Sequence, residues 1–352
     1  MAVAGDWPTA DLEHLLGCPV CGSPARARIY SGMHDRLFTS PGSWTLWRCG
    51  GCASAYLDPR PDLGSIGRAY ARYMTHGQPA RRPTTSGALA SIKRLVLNGY
   101  LNSRYGYRLS PGSRVGAILV PLIPHLAGQI DRSIRHLHVD VPNPRVLDFG
   151  CANGEFLLRA QGLGWETEGI DFDAEALEHA RAAGLSVRAG SLSDLDPDEM
   201  RFDAITLGHV IEHLHDPVAE LRRAYDLLRP GGTIWLATPN VDALGHRFFK
   251  DAWFALDPPR HLVLFNERSL TTALEEAGFE RIEALRPGPD ARWLFPPSLA
   301  IARGLDPLGS DPAASAPQLG LKMRLRARAA EAVSWRRPRV AEELIVAART
   351  PG

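Results

Sequence analysis

From residue 145 to residue 285 the apolar positions change period repeatedly. "RVLDFG" (145–150) is a short apolar run closed by a glycine, which predicts a strand. "EFLLRAQG" (155–162) has helical spacing and a terminal glycine. "WETEGID" (165–171) predicts a second strand ending in Asp171, and "DAEALEHARAAG" (173–184) an amphipathic helix stopped by Gly184. "LSVRAG" (185–190) and "FDAITLG" (202–208) supply a third and a fourth strand. "PVAELRRAYDLLRPGG" (217–232) predicts a helix with a Pro-Gly-Gly stop, and "TIWLATP" (233–239) a fifth strand. "NERSLTTALEEAG" (266–278) predicts a helix capped by Asn266. "FERIEAL" (279–285) and "EELIVAA" (342–348) complete the set of strands. Strict alternation of strand and helix predicts a mainly parallel sheet with helices on both faces. Ligands of such sheets bind at the carboxyl ends of the strands.

The rest of the chain divides around this core. Residues 1–75 form a cysteine-bearing module, and 76–140 a connector that opens on "HGQPARRPTTSG" and continues with helical patterns. Residues 141–352 hold the alternating core, with a Pro-, Ala- and Arg-rich insertion at about 286–340 before the last strand. Four of the five cysteines stand in two pairs, Cys18/Cys21 and Cys49/Cys52, with 27 residues between the pairs. Two C-x-x-C knuckles at this spacing supply four thiolates to a structural zinc ion in a ribbon. Four thiolates close the coordination sphere, so no catalytic role is expected of that metal.

The 352 residues are 45% hydrophobic and 22% charged, with a formal net charge of +1. This is an ordinary globular composition, and no overall field draws the chain to nucleic acid or membrane. The start lacks a basic segment followed by an apolar core, so a cytoplasmic protein is expected. The most apolar stretch (115–128) is short and holds two prolines, and no transmembrane segment is expected.

The turn after the first strand reads G-C-A-N-G, Gly150 to Gly154. It matches neither G-x-x-x-x-G-K-[ST] nor G-x-G-x-x-G. Asp171, at the end of the second strand, is placed to accept two hydrogen bonds from a ribose diol. Without a phosphate-type turn, an adenosine bearing an amino-acid tail fits better than a dinucleotide.

"LDFGCANGEFL", "GIDFD", "FDAITLGHVIEHLHDP", "LLRPGGTIWLATPN", "PPRHLVLFNERSL" and "EEAGF" together resemble the successive motifs of class I S-adenosylmethionine-dependent methyltransferases. The resemblance is greatest to a bacterial branch with an N-terminal zinc ribbon. It implies a Rossmann-like seven-stranded α/β sheet plus the small ribbon, with S-adenosylmethionine as cofactor. It further implies that Gly150, Cys151, Ala152, Asn153 and Gly154 wrap the methionine end, with Asp148 anchoring the turn and the ammonium group. Asp171 would hold the ribose and Phe172 the adenine face. Ser191 and Leu192 would lie beside the adenine, and Gly208 and His209 under the sulfonium. Cys151 reads otherwise as a small packed residue.

Methyl transfer needs a base only where the acceptor must lose a proton. Candidates cluster in "GHVIEHLHDP": His213 first, with Glu212 beside it, and His261 of "DPPRHL" second. Glu212 and His213 read equally as a structural pair, and His215 as a capping or solvent-facing residue. "H-V-I-E-H" also resembles the E-x-x-E-H pattern by which ubiquinone-pathway O-methyltransferases hold a divalent ion, with His209 in place of the first acid. The expected acceptor is a small hydroxylated molecule, a saccharide, nucleotide-sugar or natural-product intermediate, methylated on oxygen before carbon or nitrogen. Two other classes stand beside it. One is a ribbon-bearing methyltransferase of ribosomal RNA, for which residues 322–339 offer seven cations against Glu331. The other is a cofactor-binding protein without catalysis.

Overall fold

The computed structural model describes residues 5–71, 87–288, 290–308 and 320–352. Five short strands come first: β1 (Leu12–Glu13), β2 (Arg26–Met33), β3 (Trp44–Cys49), β4 (Ala55–Leu57) and β5 (Arg60–Pro61). Three helices follow, α1 (Ala88–Tyr105), α2 (Arg114–Leu119) and α3 (Pro124–Ser133). The alternating core then runs β6 (Arg145–Phe149), α4 (Glu155–Gly162), β7 (Glu166–Asp171), α5 (Ala174–Ala182), β8 (Val187–Ala189) and β9 (Phe202–Gly208). It continues with α6 (Pro217–Leu227), β10 (Leu228–Pro239), α7 (Leu244–Phe249), β11 (Val263–Leu264), α8 (Glu267–Glu276) and β12 (Glu280–Ala284). Helices α9 (Ala291–Ala302) and α10 (Leu321–Arg336) precede the final strand β13 (Glu343–Arg349).

Seven strands form one sheet in the order β12-β13-β10-β9-β6-β7-β8. Strand β6 pairs in parallel with β7 and with β9, setting Phe149 opposite both Ile170 and Leu207. Their apolar positions are covered on both faces: Val146, Leu147, Ile170, Ile205 and Leu207 are all buried. Strand β13 runs against β10, since Thr350 donates to Gly232 while Asn240 donates to Glu342. The sheet is therefore mixed, and the chain has the Rossmann-like α/β fold.

One boundary differs from the sequence expectation. The Pro-Gly-Gly stretch does not trail a helix; β10 already begins at Leu228. Gly231 takes φ 75° and donates to Pro351, and Gly232 accepts from Thr350. The end of β13 thus draws these glycines into the sheet, a non-local pairing that outweighs the local stop signal.

The chain falls into two compact units. One comprises Met1–Tyr73, His209–Arg222 and Leu236–Ala347. Its core gathers Trp44, Leu46, Trp253, Leu264 and Phe295. Here the N-terminal sheet has the order β11-β4-β3-β2. Its edge strand comes from far downstream, with Val263 opposite Tyr56 and Leu264 opposite Ala55. Helix α10 buries Ala327, Ala330 and Ser334. One of its cations is engaged there, Arg326 over Phe248, and its acid Glu331 pairs with Arg292 of α9 at 2.9 Å.

The other unit comprises Met74–Gly208, Arg223–Trp235 and Ala348–Gly352. It holds the parallel strands β6 to β9. Helix α4 packs on α5 through Gly154, whose φ is 81°. A Cβ there would lie 2.2 Å from Leu185 Cδ1, so a side chain would push the two helices apart.

Candidate active site

The glycine turn lies in the second unit. Gly150 and Cys151 both donate to the Ile170 carbonyl, and Gly150 has φ 77°. The anchor of the turn is Asp171, not Asp148. Asp171 Oδ2 accepts from Ala152 N at 2.8 Å, which holds Ala152 at a strained φ of 45°. Its Oδ1 accepts from Asp173 N at 2.9 Å. Burial pushes the Asp171 carboxyl up, while the amides of Asp173 and Ala152 pull it down. A carboxylate offers about four acceptor positions. The Phe172 amide bonds it as well, which leaves room for one ligand hydroxyl.

Asp148 is buried within β6. Its Oδ1 accepts from Thr206 Oγ1 at 2.9 Å and pairs with the Arg135 guanidinium. That guanidinium also lies 3.8 Å from the Phe156 ring centre. Asp148 Oδ2 is buried with no hydrogen-bond partner among the described residues. Burial pushes this carboxyl up, against the pull of Arg135 and Thr206. A buried oxygen left this way is costly, and a ligand's ammonium group is the kind of donor that satisfies it.

The remaining candidates of this unit are placed as follows. Phe172 is 66% exposed, so it is not a core residue. Asp194 accepts from the Ser191 amide at 2.7 Å. Leu192 is fully buried, which leaves its backbone for any ligand. Cys151 packs with Leu157, Leu177 and Leu185, and burial pushes its thiol up. Asn153 Oδ1 accepts from Glu155 N at the start of α4. A Cβ on Gly208 would lie 3.3 Å from Arg135 Nη2.

The candidate bases lie in the first unit. His209 has φ 59° and donates its amide to Ala237. Its ring stands between two buried carboxylates: Nε2 is 2.6 Å from Glu343 Oε1 and Nδ1 is 3.4 Å from Glu212 Oε1. Burial opposes its protonation, but the two carboxylates win and push it up to about 10. Glu212 is fully buried and accepts from Thr238 Oγ1 at 2.9 Å. It is held at about 2, because His209 and the neighbouring imidazoles outweigh burial.

His213 Nδ1 lies 3.0 Å from the Arg260 carbonyl, so this nitrogen carries the proton and donates. Tyr70 Oη stands 3.0 Å from the same nitrogen. His261 Nδ1 donates in the same way to the Ala255 carbonyl at 2.8 Å. The two rings meet edge to face, 4.7 Å between centres. In both, Nε2 keeps its lone pair. Burial, then the neighbouring His261 ring, pushes His213 down to about 4, and burial also lowers His261. Both are neutral near pH 7. Ligand atoms of Glu212, His213 and His261 lie within 4.8 Å of one another.

Two sequence readings change here. Glu212 pairs with Thr238 and His209 rather than with His213. His215 neither caps α6 nor faces solvent; its Nε2 lies 3.0 Å from the Pro61 carbonyl. Several residues had no local signal. Arg260, fully buried, forks onto Asp35 at 2.8 Å and onto Asp257, and its carbonyl fixes His213. An arginine set in "DPPRHLVLF" was the only hint. For Glu343 the hint was an acid opening an apolar strand.

The four paired cysteines converge, their Sγ atoms all within 4.8 Å of one another. Cys18 and Cys52 stand 3.6 Å apart, and Cys21 and Cys49 3.5 Å. A zinc–sulfur bond of about 2.3 Å gives a tetrahedral edge of about 3.8 Å, which fits. The amides of Val20 and Gly51 point to Cys18 and Cys49 Sγ, at 3.4 and 3.2 Å. The bond to Cys52 and burial push the Cys18 thiol up, while Cys52 is pulled down. Four thiols this close cannot all ionise without a cation among them.

Residues 122–284 match the family described as a methyltransferase domain. The ubiquinone biosynthesis O-methyltransferase of Xanthomonas campestris pv. campestris (strain B100) is 37% identical over 109 residues, 29% of this chain and 46% of that protein. The enzyme of the same name from Alkalilimnicola ehrlichii is 35% identical over 114 residues, 30% of this chain and 45% of that protein. The chain thus spans under half the length of these curated relatives. A solved S-adenosylmethionine-dependent methyltransferase from Archaeoglobus fulgidus is 18% identical. It covers 71% of this chain and 98% of its own, with a TM-score of 0.41. The phosphoethanolamine N-methyltransferase 2 of Haemonchus contortus is 16% identical, covering 73% and 60%, at 0.42. Residues 122–284 of the chain thus match a methyltransferase domain, set in a Rossmann-like α/β fold.

Proposed function

We propose that the protein transfers a methyl group from S-adenosylmethionine to a hydroxyl of a small acceptor, a saccharide or natural-product intermediate. When bound, the cofactor supplies an electrophilic methyl group on a sulfonium. Asp171 would hold its ribose and Phe172 its adenine. The turn from Gly150 to Gly154 and Asp148 would take its amino-acid end. The observation that carries the choice of oxygen is the pair His213 and His261. Each is neutral, and each has Nδ1–H tied to a carbonyl, so each presents Nε2 as a proton acceptor. A hydroxyl must lose its proton as its oxygen is methylated, and His213 Nε2 would receive it. The printed names of the relatives, O-methyltransferases, agree with this reading. The four ribbon thiolates would hold one structural zinc.

A second reading rests on the fully buried Glu212, whose ligand atoms lie within 4.8 Å of those of His213 and His261. With His213 and His261 it could hold a divalent cation that binds the acceptor's hydroxyl. Turnover of methyl-labelled S-adenosylmethionine against a panel of hydroxylated metabolites, with and without chelator, separates the two. Base catalysis predicts labelled ether products at an undiminished rate in chelator. Loss of turnover in a chelator that leaves the zinc content of the ribbon unchanged, restored by a divalent ion, supports the metal. Label entering only amines or RNA overturns both.

A further inference from the structure

Helices α1 and α2 pack against each other antiparallel and very closely. A Cβ on Gly116 would lie 1.8 Å from the Val96 carbonyl oxygen, and one on Gly99 1.7 Å from that of Ser113. This register brings the first turn of α1 alongside the end of α2 and the turn Val120–Leu122 that follows, which α1 also contacts. Leu89 and Ile92 on α1 therefore join Ile118, Leu119, Leu122 and Ile123 in one outward-facing group. All six are 49–84% exposed. The hairpin's inner side is already filled by Tyr100, Leu101 and Val120. The outer group is thus apolar surface that the described fold does not use, of a kind that marks an interaction site.

Charge says what covers it. Residues 63–130 contain nine arginines and lysines and no aspartate or glutamate. The rest of the chain has 31 cations against 39 acids, so the near-neutral total conceals a strongly basic segment. Lys93 and Arg94 sit exposed beside Ile92, and exposed Arg114 opens α2. Exposed aliphatic side chains rimmed by cations are what an anionic lipid surface receives. Pro121 and Pro124 open the two short helical segments that follow α2 at the apolar turn. No helix among the described residues is long and apolar enough to cross a membrane. The fit is to lying on the surface, not to spanning it.

We propose that the α1–α2 hairpin docks the protein onto membranes rich in anionic lipid, with Ile118, Leu122 and their neighbours inserted among the headgroups. The inference stands apart from the methyl-transfer reading. The test is co-sedimentation of the full chain with vesicles of phosphatidylcholine, alone or mixed with phosphatidylglycerol. Binding is expected to the mixed vesicles only, and raised salt should weaken it. The double variants Lys93→Glu/Arg94→Glu and Ile118→Ser/Leu122→Ser should each weaken it about tenfold or more. Thermal unfolding should be unchanged, since all four side chains are exposed. Absence of binding, equal binding to both vesicle types, or variants that sediment like the parent would overturn the proposal. So would a chain that dimerises through this patch, with Ile118→Ser/Leu122→Ser made monomeric. In that case the face is an interface between copies.

Discussion

Two histidines four positions apart in "GHVIEH" differ in charge near neutral pH, one cationic and one neutral. His209, between Glu343 and Glu212, stays protonated until about pH 10, whereas half-buried His213 does not take a proton until about pH 4. This fixes the shape of the pH profile. A base must be deprotonated to act, so the His213-dependent rate is lost only as pH falls towards about 4. It should be flat between pH 6 and 9 in an assay of initial rates. His213→Ala should lower kcat by about 10²–10⁴ and leave cofactor affinity near the parent value. A rate that rises through pH 6 to 7 would assign the proton to an exposed imidazole instead. The sequence singled out His213 because it follows a strand end by a few residues. It could not show the environment. Glu343, Arg260 and Tyr70 come from segments far away along the chain, and spacing says nothing of which carboxylate meets which ring.

At the scale of elements, the parallel strands β6 and β9 were legible because they are buried on both faces and read as largely apolar runs. Helix α8 was legible through its cap, where Asn266 accepts from Ser269 N at 2.8 Å. The short strands β2 to β4 and β11 were not: β2 and β3 shift register twice along their pairing, and β11 pairs with β4 across some two hundred residues. Nor was the start of β10, which depends on the end of β13. The two cysteine knuckles were legible from spacing alone, and the four sulfurs do converge. If they hold zinc, metal analysis of the purified chain should give a ratio near one. Cys18→Ser should lower that ratio and the stability of the N-terminal module together, because a structural zinc contributes folding energy directly. A Cys18/Cys49 double serine variant that keeps its full zinc content would contradict this.

For the whole molecule, composition misled in one respect. A net charge of +1 suggested an even surface, yet the cations of residues 63–130 are balanced only by acids elsewhere. The proposed ligand is read from backbone-directed residues: a glycine turn and an acid near the end of each of two strands. The acceptor is not, because its surroundings are assembled from loops with no shared period. The central claim is therefore the cofactor site of the β6–β7 strand ends, and calorimetric titration of the full chain with S-adenosylmethionine tests it most directly. One site per chain is predicted. Asp171→Ala should cost about 1–3 kcal/mol of binding, since it removes the acceptor for the ribose and the anchor of Ala152. Gly150→Val should cost more, because valine strains the backbone at φ 77°. A parent chain that gives no binding heat, or equal affinity in the parent and both variants, would contradict the account.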